Sequence, residues 1–354
     1  MKGSRIRLLL LPMAVLLSQA APTAWAQAGK DGRTLAQVAT YEGPDRQARL
    51  LDGARKEGEL SVYYAHPIVK DMAEAFSRKH GVKVKLWRAG SEAIMQRIFA
   101  ESRAGRQEVD VFLSTAADTE AAAREKLLQE VRSSVHADLI PGAVPAHHQW
   151  AAFNLDVFTA SYNTRLVRKE DLPKSYQDLT DPKWKGKLAV EANDHIWWGA
   201  LSAELGEEAA RKLFDTIVAV NGISVRKGHS VLAGMVASGE VPLALTVYSW
   251  NPEQLKRKGA PVEGLYLQPL FAYPAAMAVM AKARNPNAAV LFYDFVLGEG
   301  QKIMADADYG PTSRKVESHL NKLPPYKLID AVQALDRQDR WVKMYDEAFI
   351  KKAR

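Results

Sequence analysis

The chain has 354 residues, 47% hydrophobic, 25% charged and 8% aromatic, a composition that excludes a disordered or fibrous protein and can fill at least one large core. Its length predicts two domains or more. The absence of cysteine excludes a disulfide framework, a thiolate metal site, a cysteine nucleophile and a lipidated cysteine at a processed amino terminus.

The amino terminus reads as a secretory signal peptide covering residues 1–26. Lys2, Arg5 and Arg7 form a basic start, Leu8 to Leu17 is an apolar run broken only by Pro12, and Ala24 and Ala26 supply small residues before a mature start at Gln27. Ten apolar residues are too few to cross a bilayer, which takes roughly 20. Removing the segment leaves 45 basic against 41 acidic side chains, a net of +4. These charges are scattered singly and in pairs, so a solvated surface is expected and a nucleic-acid partner is not.

From Leu60 onward, short apolar strands alternate with amphipathic helices. Leu60–Tyr64 reads as a strand, and Ile68, Met72, Ala75 and Phe76 share a helical face that Gly81 ends. Val82–Leu86 alternates with period two, and Ile94, Met95, Ile98 and Phe99 form the next stripe. Val109–Leu113 is a third strand, followed by a helix from about Asp118 to Leu128. The pattern restarts with a strand near Lys187–Glu191 and a helix over Glu207–Val220; Ser230 is expected to cap another helix that Gly239 ends. Val241–Val247 fits a buried parallel strand, with a helix ending near Gly259. Ala275–Ala281 and a helix from Asn285 and Pro286 to Gly298 close the series. The economical fold class is α/β, as two Rossmann-like lobes. Segments near Gln149–Ala160 and Leu265–Ala275 are the expected crossovers.

No Gly-x-Ser-x-Gly elbow, His-Glu-x-x-His, phosphate loop or Gly-x-Gly-x-x-Gly occurs. His147 and His148 lack a third ligand at recognisable spacing, so a solvated loop is expected there and no metal site. A secreted hydrolase would need a nucleophile or metal constellation that the sequence does not display. No cofactor is expected.

Four segments nevertheless resemble a known family, the type 2 periplasmic solute-binding proteins of ABC importers in the ferric-iron-binding-protein-like branch. They are Val62-Tyr-Tyr-Ala-His66, Asp181-Pro-Lys-Trp-Lys-Gly-Lys187, Val236-Ala-Ser-Gly-Glu240, and Ala288 through Gln301 ending in Leu-Gly-Glu-Gly-Gln. The resemblance implies two α/β lobes joined by two hinge strands and closing on a ligand. It implies a first lobe over 27–154 with a return segment over 269–310, a second over 155–268, and a helical segment over 311–354 packed on the second lobe. The implied function is capture of a small-molecule ligand in the periplasm by a monomer, not an enzyme, and delivery to an ABC permease in the inner membrane. The same fold would also serve as a ligand-sensing module for a membrane receptor.

In such a cleft, strand ends and helix amino termini face the ligand from both lobes. The expected ligand-binding residues are His66, Arg88, Ser91 and Thr115 from the first lobe. From the second come Asn193, Asp194, His195, Trp197, His229, Ser230, Tyr248, Ser249 and Trp250, with Tyr309 on the returning chain. Ser91 and Ser230 equally fit helix caps, Trp197 and Trp198 equally fit a core, and Arg88 equally fits a surface ion pair. The family's iron binders hold the metal with adjacent tyrosines after the apolar strand of the second lobe, often with a histidine and a carboxylate from the first. Alignment places Ser249 and Trp250 at the tyrosine pair, with Tyr248 one residue early, Thr115 near the carboxylate position and His66 as the match to the histidine. The main expectation is therefore a small organic anion, recognised by aromatic faces and by donors from His66, Arg88, His195 and His229. The alternative is ferric iron held by Tyr64, Tyr248 and Tyr309.

Overall fold

The computed structural model describes residues 32–353. The expected signal peptide and cleavage site lie outside the described residues. Among these, no helix is long and apolar enough to cross a membrane. The strands are β1 (Glu59–Tyr64), β2 (Lys83–Arg88), β3 (Val111–Thr115), β4 (Ala151–Asn163), β5 (Leu188–Glu191), β6 (Ser224–Arg226), β7 (Leu243–Tyr248), β8 (Val262–Leu265), β9 (Leu270–Val279) and β10 (Tyr326–Leu328). Their order is β2-β1-β3-β9-β4-β7-β5-β6, with β10 on β9 and β8 on β4.

In the first lobe β1 lies parallel to β2 and β3, with Val62 opposite both Leu86 and Val111. The helix Val69–His80 shows why these segments fold as they do. Val69, Met72, Ala73 and Phe76 are buried at helical spacing, basic side chains end it, and Gly81 turns the chain out at φ 73°, a conformation that favours glycine. Two helices precede Leu60, Leu35–Ala39 and Arg46–Glu57. The second packs on the helix Pro286–Leu297, whose first turn Glu57 caps by accepting from Asn287 N at 3.0 Å and Ala288 N at 2.8 Å. In the second lobe β5 is parallel to β6 and β7, Ala189 lying opposite Ser224 and Ala244.

The two lobes meet at β4 and β9. Every residue of β4 is buried: its first half pairs antiparallel with β9 (Leu155 with Pro274, Val157 with Ala272) and its second half with β7 and β8 (Tyr162 with Leu243 and Glu263). One strand thus runs through the sheets of both lobes. Large separate cores flank it, one around Phe76, Phe112 and Phe292 and one around Trp198, Phe214 and Phe349.

Local readings need correction. β9 begins at Leu270, so the crossover and the last strand are one element, and it runs antiparallel to β3 and β4. β7 is parallel to β5 yet antiparallel to β4. Ser230 does not cap its helix, which starts at His229 after Gly228; the helix over Ser91–Arg103 likewise starts after Gly90, with Ser91 its first residue. The loop of His147 and His148 is tied down: His147 pairs with Glu120 at 3.2 Å, and His148 stacks on His136.

Candidate functional site

The site is built around β4 and the turn after β7. Asp156 on β4 is 8% exposed, its neighbours Leu155 and Val157 facing an apolar cluster. Its Oδ1 accepts from Trp250 Nε1 at 2.9 Å and Asn154 Nδ2 at 3.0 Å, and His66 Nε2 stands 3.5 Å away. Burial pushes the Asp156 carboxyl up, but hydrogen bonding from His66, Trp250 and Asn154 outweighs it and holds the group below its ordinary value. One carboxylate therefore joins His66, which follows β1, to Trp250, which follows β7. Phe153, Trp250 and Tyr309 surround the imidazole, with ring centroids at 5.9, 5.9 and 4.8 Å. His66 Nδ1 is buried and without a hydrogen-bond partner.

From Trp250 the aromatic surface continues through Tyr248, 5.9 Å away, to His229, whose ring lies 3.9 Å from that of Tyr248 and only 20° from parallel. His229 Nε2 contacts Asp194 Oδ1 at 2.8 Å. Burial lowers the imidazole pKa, but the charge and hydrogen bond of Asp194 win and raise it. Glu191, at the end of β5, accepts from Gly228 N at 2.8 Å and also from Asn193 N. Tyr248 is pushed well above the usual phenol range, first by burial and then by the charges of Asp156, Asp194 and Glu191. Three carboxylates thus converge electrostatically on one phenol.

His66, Asp194, His229, Tyr248, Trp250 and Tyr309 form this continuous group. Asn193 joins it through its backbone, and Ser230 through Asn251 at 3.4 Å. His195 opens the helix His195–Leu205; burial depresses its pKa despite the carboxylates of Asp194, Asp346 and Asp118. Thr115 caps the helix Ala116–Arg124, accepting from Asp118 N at 3.2 Å. Arg88 is exposed at the end of β2, and its charge reaches Tyr309. Ser91 stands in the first turn of its helix, outside this contact network.

Two expected contacts point elsewhere. Trp197 is 1% exposed and packs on Trp198, Tyr176, Phe214 and Phe349, because the first two turns of its helix are enclosed, with Ile196 to Gly199, Leu201 and Ser202 all buried. Ser249 is fully buried, with its hydroxyl 2.8 Å from His319 Nε2 on the returning chain. Tyr64 lies buried in the first-lobe core. Asp156 and Glu191 are the residues that sequence reasoning missed. A charged residue inside the apolar run Ala151–Ala160 was the available signal for the first; Glu191 had none beyond its place at a strand end.

Aromatic faces and carboxylates gathered where two α/β lobes share a strand, together with a buried imidazole nitrogen left open, define a two-lobed solute-binding protein. The chain belongs to the bacterial extracellular solute-binding protein family, whose model matches residues 65–303. It is similar to the major ferric iron-binding protein of Neisseria gonorrhoeae, 29% identical over 299 residues, which are 79% of this chain and 84% of that one. Among solved structures, the periplasmic binding protein AfuA from Actinobacillus pleuropneumoniae, with fructose-6-phosphate bound, matches 83% of this chain and 99% of its own at 24% identity and a TM-score of 0.72. Iron-bound HitA from Pseudomonas aeruginosa matches 82% and 99% at 22% identity and a TM-score of 0.70. These likenesses bear out the two-lobed α/β fold and the solute-binding class.

Proposed function

We propose that the protein is the periplasmic solute-binding component of an ABC importer and that its cargo is ferric iron, bare or as a chelate. One observation carries the choice of a cation. Asp156 stands against His66 and Asp194 against His229, while Glu191 meets only backbone amides nearby, so carboxylates outnumber imidazoles on the wall that would meet the cargo. The organic-anion expectation relied on free cationic donors, but His229 is matched by Asp194 and His66 by Asp156. Hard oxygen donors with imidazole suit iron, and Tyr248 and Tyr309 supply phenols beside them. The ferric iron-binding protein of Neisseria supports the same reading. Delivery to a permease, a monomeric state and export to the periplasm belong to this proposal.

A second reading, a small organic anion, is favoured by the fructose-6-phosphate complex of the structural relative and by Arg88 near Tyr309. Titration with ferric citrate separates the two. The iron reading expects a visible tyrosinate-to-iron charge-transfer band that Tyr248→Phe weakens. No band at saturating iron, with tight binding of a sugar phosphate, would establish the second reading instead.

A further inference from the structure

We infer that Glu191, Asp194 and His229 form a cation-anchoring site on the second-lobe wall, taking a first-row transition-metal cation through two carboxylates and one imidazole. The iron reading is its basis for the identity of the natural metal; the geometry of the site stands apart from that reading.

The three residues come from three elements. Glu191 ends β5, Asp194 directly precedes the helix His195–Leu205, and His229 opens the helix His229–Ser238. One donor atom from each lies within 4.8 Å of the other two. Carboxylate oxygens and imidazole nitrogens bind such metals at about 2.0–2.2 Å, so small side-chain rotations close the set on an ion, the metal displacing to solvent the proton that His229 shares with Asp194. The set is not merely acidic residues near one another. Asp194 is 3% exposed, and while its Oδ1 pairs with His229, its Oδ2 is buried with no hydrogen-bond partner. A buried carboxylate oxygen left open is costly unless something charged or hydrogen-bonding meets it, and a cation in this set does.

The surroundings hold the donors in place. The Glu191 carboxylate is oriented by the amides of Gly228 and Asn193, and its carbonyl accepts from Tyr345 Oη. The His229 ring is held against Tyr248, stacked at 3.9 Å. Outer contacts of this kind fix the orientation of metal ligands. Mixed carboxylate and imidazole donors suit iron, manganese, cobalt or zinc better than soft copper(I) or purely oxygen-seeking calcium. All three donors belong to one lobe. A metal can therefore load before the groups around His66 complete the site, which gives the second lobe the first step of capture.

The test uses the purified mature chain with Co2+ as a spectroscopic probe and ferric nitrilotriacetate as the iron source, comparing wild type with Asp194→Asn and His229→Gln. His147→Gln, a histidine paired with Glu120 in the first lobe, is the control. The inference expects Co2+ ligand-field bands in wild type and in the control. It expects roughly tenfold or greater loss of Co2+ affinity in each of the two variants. X-ray absorption of the bound cobalt should show a single imidazole. Circular dichroism and melting curves verify folding, and His229→Gln decides alone if Asp194→Asn unfolds. Folded variants that bind Co2+ as wild type does, or a wild type that binds none, would overturn it. A ferric band unaffected by either variant leaves the iron reading standing and removes this site. Asp194-dependent Co2+ binding without any iron uptake does the reverse.

Discussion

Asp156→Asn keeps the side chain's shape and removes its charge where β4, His66 and Trp250 meet. The wild-type oxygen accepts from Trp250 Nε1 and Asn154 Nδ2 at 2.9 and 3.0 Å. Hydrogen bonds to a charged group contribute about 1.5–3 kcal/mol, against about 1 kcal/mol for neutral pairs. Asparagine can keep an oxygen at the Oδ1 position, where Trp250, Asn154 and His66 all converge, but it meets them without the charge. The expected loss is about 1–3 kcal/mol at neutral pH, with the main effect in the contact between lobes. The pH dependence follows from the direction of the Asp156 shift. Its folded value is depressed, so its contribution is present above the unfolded value of 3.8 and is lost as pH falls through the lower folded value. Urea unfolding of both proteins at pH 7 and pH 3 measures this, and the difference between them should shrink at the lower pH. Ferric affinity should fall at least about tenfold, a loss of 1.4 kcal/mol. A variant within about 0.5 kcal/mol of wild type at pH 7, with unchanged iron affinity, would refute the role assigned to this carboxylate.

Three other outcomes are expected. Gly199→Ala should destabilise by about 2 kcal/mol or more although alanine favours helix, because its Cβ would overlap the buried ring of Trp341; chemical denaturation checks this, and Trp341→Leu in the same chain should recover part of the loss. His136 and His319 are pushed down to about 4, mainly by burial. Depressed histidines contribute above their unfolded value of 6.5 and lose that contribution as pH falls toward 4, by up to about 3 kcal/mol each; melting temperatures should therefore drop between pH 6.5 and 4, and His136→Gln should flatten the curve. Small-angle scattering should show a smaller radius of gyration with saturating ferric citrate than without, and an equal radius at full occupancy would argue against closure about β4 and β9.

The fold was largely legible because alternation of apolar runs with helical stripes is a local signal. Strand direction was not. Val241–Val247 and Ala275–Ala281 are apolar runs of the kind that parallel strands show, yet β9 is antiparallel throughout its pairing with β3 and β4. Side-chain destinations were hidden for the same reason. Trp197 and Trp250 both follow strands, but one meets Phe349 and the other meets Asp156, partners 152 and 94 residues away in sequence. Likewise, the histidines expected as donors for an anion are matched by Asp156 and Asp194, and that pairing cancels the positive charge an anion would have met.

The carboxy-terminal chain bears on how such lobes can move. β10 adds to β9, the helix Ala331–Asp336 packs on Ala116–Arg124 of the first lobe, and the helix Gln338–Ala348 packs on His195–Leu205 of the second. The segment expected on the second lobe packs there through its last helix and also touches Ala116–Arg124. The contacts differ in strength. Toward the second lobe, Trp341, Tyr345 and Phe349 are each 2% exposed or less, and Tyr345 reaches the carbonyl of Glu191. Toward the first lobe there are the small side chain Ala331 and an exposed pair between Arg124 and Asp336, of a kind that contributes about 0–1 kcal/mol. Buried aromatic rings are worth several times as much, since truncating one costs about 3–5 kcal/mol. A rotation about β4 and β9 would accordingly slip at the alanine contact and carry the last helix with the second lobe. The backbone beneath Glu191 would then keep its support in both arrangements, which is what an anchoring site loaded ahead of closure requires.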